Sequence, residues 1–380
     1  MSFSSIDQLC STECAYDFSQ DNKNLFFKAM RENFQFQFQR QSYVKFLCEQ
    51  HQFFPDNLND YEDLFKIPPV FVGILKINRF CNVSEEDITM TLTSSGTKGQ
   101  KTQLLLDKQS LERLEKLADS CFTSLGYKDD TPAHYLVFGY ERSKAEHIGT
   151  SWSDQQNLKY APQKSLHWTI KWNDQKGEFD YDGEAVARLF LELINDAPVR
   201  LIGFPAFIHE MVTLARKLKT KIKVDPRSFI IAGGGWKNHQ GTPLSHQQFA
   251  QFMEENTGLP HENVRDAYGM AEHGVPYASC GQGHHHVPIY SRLKVINPLS
   301  SQCLDYGQQG LLQLFTPYNT TQPNLSILST DLVVLEKDCP CGLQGDYIKS
   351  IQRGGKKKHK GCAIAAQEIL SQHQESNNKS

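Results

Sequence analysis

Two apolar runs, VRLIGF at 199–204 and SFIIAGGG at 228–235, bracket a stretch in which Phe207, Ile208, Met211, Leu214, Ala215 and Leu218 recur at helical spacing. Continuously apolar runs of this length suit strands buried on both faces, and the rhythm between them suits a helix lying across one face. Strand, helix and strand within about forty residues make a right-handed βαβ crossover, which commits the chain to an α/β fold with a mainly parallel sheet flanked by helices. HYLVFGY at 134–140 reads as another buried strand of that sheet. Further on, Ser245 and Gln248 form a capping-box pattern, Phe249, Phe252 and Met253 supply an apolar helix face, and Gly258 ends it.

From about residue 311 the texture changes to LLQLFTPY and DLVVLEKD, strands with short turns that predict a smaller antiparallel subregion. At the other end, Phe26, Phe27, Met30, Phe34, Phe38 and Tyr43 recur among charged residues and glutamines. Packed helices are expected there rather than a low-complexity tract. The expected organisation is a helical amino-terminal region over 1–65, a core domain over 66–352 and a basic segment over 353–380.

With 39% hydrophobic and 11% aromatic residues among 380, the chain can build a large core. Its formal net charge of −3 offers no global attraction to nucleic acid or to an anionic membrane, so any basic function is local and no nucleic-acid partner is expected. The amino terminus lacks a basic stretch followed by an apolar one, and the longest apolar run, PPVFVGIL at 68–75, is too short to span a bilayer. A soluble, cytoplasmic protein without a transmembrane segment is expected. For such a chain, 10 unevenly scattered cysteines point to thiols, metal ligands or a catalytic thiol rather than disulfides.

The run MTLTSSGTKGQKTQ at 90–103 concentrates Ser94, Ser95, Gly96, Thr97, Lys98 and Gly99. Glycine lets the backbone approach a ligand, hydroxyls and amides donate to oxyanions, and lysine adds positive charge, so the run suits a phosphate cradle, although an ordinary solvated loop has the same composition. It is not the P-loop pattern. Four further segments follow in order: AGGGWK at 232–237 with Gly233, Gly234, Gly235 and Lys237; DAYGMAE at 266–272 with Tyr268, Gly269 and Glu272; STD at 329–331 with Asp331; and Arg353. This ordered series resembles the motifs of the adenylate-forming enzymes, the superfamily of acyl-CoA synthetases, luciferases and peptide-synthetase adenylation domains.

The resemblance implies that the loop grips ATP, that Tyr268 stacks on adenine, that Glu272 holds Mg²⁺ and that Asp331 accepts the ribose hydroxyls, roles their ring and oxygen chemistry suits. Ala271 replaces the threonine usual in this motif. After Arg353 only 27 residues follow. The superfamily's separate carboxy-terminal domain, with its catalytic lysine, is therefore expected to be missing, leaving Lys237 and the 356–360 lysines as candidates for that duty.

Within the superfamily the chain is most similar to the acyl-protein synthetases of bacterial luminescence fatty acid reductase complexes, through IPPVF, TSSGTKG, RLIGFPAF, AGGGWK, VRDAYGMAE, HVP and KGCA. That similarity implies ATP-dependent activation of a fatty acid, transfer of the acyl group to Cys362, and delivery to an acyl-CoA reductase-type partner. The surroundings of Cys362 point the same way: Arg353, Lys356, Lys357, Lys358 and Lys360 precede it and an Ala-rich stretch follows, and nearby cations favour the thiolate. Without the resemblance, a basic tail with an incidental thiol is an equal reading.

Cys339-Pro-Cys341 is a compact chelating pair, and Cys280 with His284, His285 and His286 lies upstream. Three thiolates and His286 would satisfy a structural zinc, the alternative being a reduced cysteine pair beside a solvated histidine loop. DCPCG also resembles a segment of phenylacetate-CoA ligase-like enzymes, some of which carry structural zinc. Phe204, Phe207 and Met211 suit either an acyl tunnel or plain core. Two other functions stay open: a ligase passing the acyl group to coenzyme A or a carrier protein, and a non-catalytic subunit of a reductase complex.

Overall fold

The first aromatic-rich stretch folds as helices α1 (Ser4–Cys10), α2 (Gln20–Arg40) and α3 (Ser42–His51) in a computed structural model that describes residues 3–93, 102–141, 149–234 and 243–353, with backbone alone at 149–151 and 353. The Ser19 hydroxyl caps α2, which turns Phe26, Ala29, Met30 and Phe34 inward. Asn33 and Gln37 share that buried face, one turn apart. Asn33 Nδ2 donates to the carbonyls of Pro317 at 2.7 Å and Asn319 at 3.0 Å, and Gln37 Nε2 to that of Gln322 at 2.9 Å. Each such bond contributes about 1 kcal/mol net, and losing one would strand a buried carbonyl at greater cost.

The chain continues through β1 (Val70–Phe71), α4 (Ile74–Ile77), and the antiparallel pair β2 (Ile88–Thr93) and β3 (Gln103–Asp107), to α5 (Lys108–Ser124). Asp107 caps α5 by accepting from the Ser110 amide at 2.7 Å. One sheet then gathers β4 (Ala133–Tyr140), β5 (Gln163–Asn173), β6 (Glu178–Tyr181), β7 (Val199–Gly203), β8 (Phe229–Ala232), β9 (Val264–Tyr268) and β10 (Tyr277–Ala278). Between them run α6 (Gly149–Gln156), α7 (Gly183–Leu193), α8 (Pro205–Leu218) and α9 (His246–Thr257). The spatial order is β10-β9-β8-β7-β4-β5-β6, with β5, β4, β7, β8 and β9 parallel.

The expected strand–helix–strand unit is β7–α8–β8. Phe204 belongs to the helix cap rather than the strand, because Pro205 occupies the first helical position, where a missing amide costs nothing. The Ser245–Gln248 capping box forms, and Gly258 closes α9 in the left-handed conformation. The β5–β6 extension escapes an apolar-run criterion because β5 is mostly exposed or half-buried, with Thr169 and Ile170 alone buried.

Side chains of each buried strand alternate between two cores. Leu136, Phe138, Leu201 and Ile230 pack with Phe190, Phe207, Met211 and Met253, while Tyr135, Val137, Ile202 and Ile231 join α2 and α5. Phe204, Phe207 and Met211 are thus core residues, at most 5% exposed.

A second sheet holds β11 (His285–His286), β12 (Arg292–Ile296), β13 (Gln309–Phe315), β14 (Ser326–Glu336) and β15 (Tyr347–Arg353) in the order β11-β15-β14-β13-β12. These five are antiparallel, and β1 joins β14 in parallel. The connection from β13 to β14 is polar yet buried: it receives α2, the Leu105 amide on Gln322 Oε1 at 2.8 Å, and Arg113 Nη1 on the Tyr318 carbonyl at 3.2 Å. No described helix is long and apolar enough to cross a membrane.

Candidate functional site

Parallel strands direct their carboxyl ends to one edge, where ligands of α/β sheets gather. At that edge β8 runs into Gly233 and Gly234, and β9 ends at Tyr268. The Gly233 amide donates to the Gly203 carbonyl at 3.0 Å. Gly234 has φ +77°, and a Cβ there would lie 2.7 Å from the Phe204 ring, so both the turn and the close approach require glycine.

Tyr268 donates its phenol to Asp331 Oδ2 at 2.9 Å across the junction of the two sheets. Asp331 lies on β14 directly opposite Arg353 of β15. Three residues that are far apart in sequence therefore share one corner. Behind Tyr268 stand Tyr277, ring centroids 5.9 Å apart, and then His273, stacked on Tyr277 at 5.8 Å. The Tyr277 hydroxyl lies 2.8 Å from His273 Nε2 and 2.7 Å from Ser291 Oγ. Burial pushes His273 down to about 3, so this ring stays neutral and supports the aromatic wall without adding charge.

Glu272 follows the Tyr268–Gly269 turn and is buried, 7% exposed. Its backbone carbonyl accepts from Asn324 Nδ2 at 3.1 Å, but among the described residues its carboxylate takes no hydrogen bond or ion pair. A buried carboxylate without a partner among the described residues fits an oxygen ligand for a hard cation.

Ser94, Ser95, Gly96, Thr97, Lys98, Gly99, Gly235, Lys237 and Cys362 lie outside the described residues, as does the side chain of Arg353. The strands flanking 94–101 in sequence pair with each other, Thr93 opposite Gln103.

A second cluster unites Cys280, His286, Cys339 and Cys341, whose donor atoms all lie within 4.8 Å of one another. Cys280 follows β10, His286 sits on β11, and Cys339 and Cys341 occupy the turn between β14 and β15. The Sγ atoms of Cys280 and Cys339 are 3.8 Å apart, too far for a disulfide, and His286 Nε2 is 3.3 Å from Cys341 Sγ. Burial raises the Cys280 thiol, but hydrogen bonds from His286 and the Gln282 and His284 amides outweigh it and bring the thiol down to about 6. Burial pushes Cys339 up to about 12. Sulfurs this close resist joint ionisation unless a cation balances them, and three thiolates with one imidazole are the donor set of a soft tetrahedral metal.

Sequence reasoning misses His273, Tyr277, Ser291 and Asn324. The one available signal was adjacency to Glu272; that these polar residues are buried together depends on packing. His284, which the sequence places beside Cys280 without preferring it as a ligand, has Nδ1 3.2 Å from Cys339 Sγ while its ring stacks on Tyr347 at 4.5 Å.

The fold is that of the adenylate-forming ligases: 2-hydroxyisobutyryl-CoA ligase, solved with 2-HIB-AMP and CoA in its thioesterification state, superposes with a TM-score of 0.68 at 17% identity, over 90% of this chain and 70% of that one. The long-chain-fatty-acid–luciferin-component ligase of Aliivibrio fischeri is 24% identical over 358 residues, covering 93% of this chain and 91% of that protein. The protein of the same name from Vibrio harveyi is 23% identical over 368 residues, covering 93% and 94%. The family described as acyl-protein synthetase, LuxE, matches residues 1–371, and the chain belongs to it.

Proposed function

We propose that this protein activates a long-chain fatty acid with ATP to acyl-AMP, carries the acyl group as a thioester on Cys362, and delivers it to an acyl-CoA reductase-type partner. The reading is carried by the meeting of Tyr268 and Asp331, 63 residues apart, level with the glycine end of β8. It is supported by the family match, which extends past Cys362.

Tyr268 presents its ring to adenine. Asp331, with Oδ2 held by Tyr268, offers Oδ1 to a ribose hydroxyl, and Arg353 across the strand pair adds its guanidinium. Glu272 would hold Mg²⁺, which neutralises phosphate charge when bound. Ser94, Ser95, Gly96, Thr97, Lys98 and Gly99 grip the phosphates, and Gly233, Gly234 and Gly235 let the backbone approach the nucleotide. A fatty carboxylate oxygen attacks the α-phosphorus, the bond to pyrophosphate breaks, and Lys98 and Lys237 stabilise the added charge. The Cys362 thiolate then attacks the acyl carbonyl carbon and AMP leaves.

Cys280, His286, Cys339 and Cys341 would hold zinc. Bonds of ~2.3 Å from zinc to sulfur at the tetrahedral angle separate two sulfurs by ~3.8 Å, which is the 3.8 Å between Cys280 and Cys339. All four donors are protein groups, so zinc there is structural.

The test is incubation with labelled fatty acid and ATP. The expected result is a hydroxylamine-labile protein label that disappears in Cys362→Ser while ATP–pyrophosphate exchange persists. Label retained elsewhere overturns the acceptor assignment. Full turnover of Cys362→Ser with coenzyme A favours a ligase with a soluble thiol acceptor, and absence of exchange in the wild type favours a non-catalytic subunit.

A further inference from the structure

The four clustered donors do not come from one sheet. Cys280 leaves the β9–β10 pair of the first sheet, in which Tyr277 pairs with Tyr268 and the Ser279 amide donates to the Asp266 carbonyl at 2.8 Å. His286 pairs with Tyr347 of β15, and Cys339 and Cys341 turn β14 back into β15, all in the second sheet. The strands that meet in this cluster are the ones that carry Tyr268 on one side and Asp331 and Arg353 on the other. Three residues of strand, about 10 Å, separate the position opposite Cys280 from Tyr268.

His285 couples the two ends. Its backbone bridges Ser279 of the first sheet and pairs with Ile348 of the second. Its Nε2 is 3.9 Å from Asp266 Oδ2, and its ring centroid is 6.5 Å from that of Tyr268. A metal at the cluster would therefore fasten the two sheets at one end of this lever, with the Tyr268–Asp331 contact at the other. Without it, the sulfurs of the cluster make contacts of 3.2–3.8 Å, weak hydrogen bonds at best, beside the backbone pairing of His285 with Ser279 and the bond from the Val287 amide to the Asp346 carbonyl.

We propose that metal occupancy of Cys280, His286, Cys339 and Cys341 sets the affinity for adenine nucleotide, by holding Tyr268 in register with Asp331 and Arg353. This rests on the nucleotide reading of those three residues and adds to it a coupling between two separate sites. Coupling of this kind is reciprocal: if metal tightens nucleotide binding by some factor, nucleotide tightens metal binding by the same factor. A metal that merely stabilised the fold would leave the nucleotide affinity of the still-folded apoprotein unchanged.

The experiment uses the full chain. Metal content is measured by mass spectrometry, and a non-hydrolysable ATP analogue is titrated calorimetrically into zinc-loaded, chelated and reloaded protein, with far-UV circular dichroism confirming that the fold persists. One zinc per chain is expected, with a dissociation constant for the analogue that rises about 5- to 150-fold on chelation and recovers on reloading. Competition with a chromophoric chelator is expected to show zinc held tighter by the same factor when the analogue is present. His285→Ala is the second variant, because apoprotein can unfold outright: it is expected to keep its zinc and still bind the analogue more weakly. If zinc-loaded wild type binds the analogue and Asp331→Ala does not, yet chelation and His285→Ala leave the affinity unchanged, the coupling is overturned and the nucleotide reading stands. If zinc-loaded wild type fails to bind the analogue, the nucleotide reading itself fails. Protein that takes up neither zinc nor cobalt, with no thiolate-to-cobalt charge-transfer band, overturns the metal site.

Discussion

The phenol of Tyr268 on β9 reaches Asp331 Oδ2 on β14 at 2.9 Å, so this hydrogen bond joins the parallel sheet to the antiparallel one at the proposed nucleotide corner. Tyr268→Phe keeps the ring and removes this bond. A hydrogen bond to a charged group contributes about 1–2 kcal/mol here, so the KM for ATP in pyrophosphate exchange is expected to rise about five- to thirtyfold. The loss of unfolding free energy in urea should not exceed about 1–2 kcal/mol. An unchanged KM would show that Asp331 needs no positioning by Tyr268.

Gly234→Ala tests the turn at the end of β8. Alanine at φ +77° meets the left-handed penalty, and its Cβ would lie 2.7 Å from a buried ring. Together these cost about 2–4 kcal/mol, measured as loss of unfolding free energy in urea. Gly233→Ala is the control: among the described residues nothing lies within 4 Å of a Cβ there, so its stability should remain within about 1 kcal/mol of the wild type.

Glu210 gives a pH dependence whose sign is fixed. Burial in α8 pushes its carboxyl up to about 7, and among the described residues Oε2 has no hydrogen-bond partner. Below about pH 4 both folded and unfolded chains keep this proton. Between there and about pH 7 the unfolded chain ionises while the folded one holds the proton, so this group lowers stability as pH rises. Glu210→Gln removes that loss, on the order of 2–4 kcal/mol, and the stability difference between pH 5 and pH 8 should shrink by that amount relative to the wild type. Asp154 and Asp266, also raised to about 7 by burial, remain in both proteins and drop out of the comparison.

Arg113 fastens α1 to the rest of the molecule. Its buried guanidinium donates to Asp7 Oδ1 at 2.7 Å, to the Tyr318 carbonyl at 3.2 Å and to Thr320 Oγ1 at 3.3 Å. Arg113→Met leaves that carbonyl without this donor and releases Asp7, at a cost of about 2–4 kcal/mol. Limited proteolysis is expected to cut the amino-terminal 20 residues or so first. Arg113→Lys should not rescue, because a single ammonium cannot span three acceptors in the geometry of a planar fork.

Local order was legible in the sequence because its causes are local. The β7–α8–β8 unit follows from apolar runs around a helical rhythm, and α9 begins and ends where Ser245, Gln248 and Gly258 say it should. The candidate site was legible as a series of motifs, since Tyr268, Glu272, Asp331 and Arg353 each sit in a recognisable segment. Asn33 and Gln37 show where such reading stops. In the sequence they belong to a polar, glutamine-rich stretch, yet they are fully buried because their partners are carbonyls more than 280 residues away.

The sequence by itself determined which segments are strands and helices and which residue types bear chemistry, since propensity, periodicity and capping act over a few residues. Only the tertiary structure decided that Tyr268 bonds to Asp331, that Cys280 stands 3.8 Å from Cys339, and that both junctions lie between the same two sheets. Those distances arise from burying two sheet faces against shared helices. No local rule contains that long-range packing.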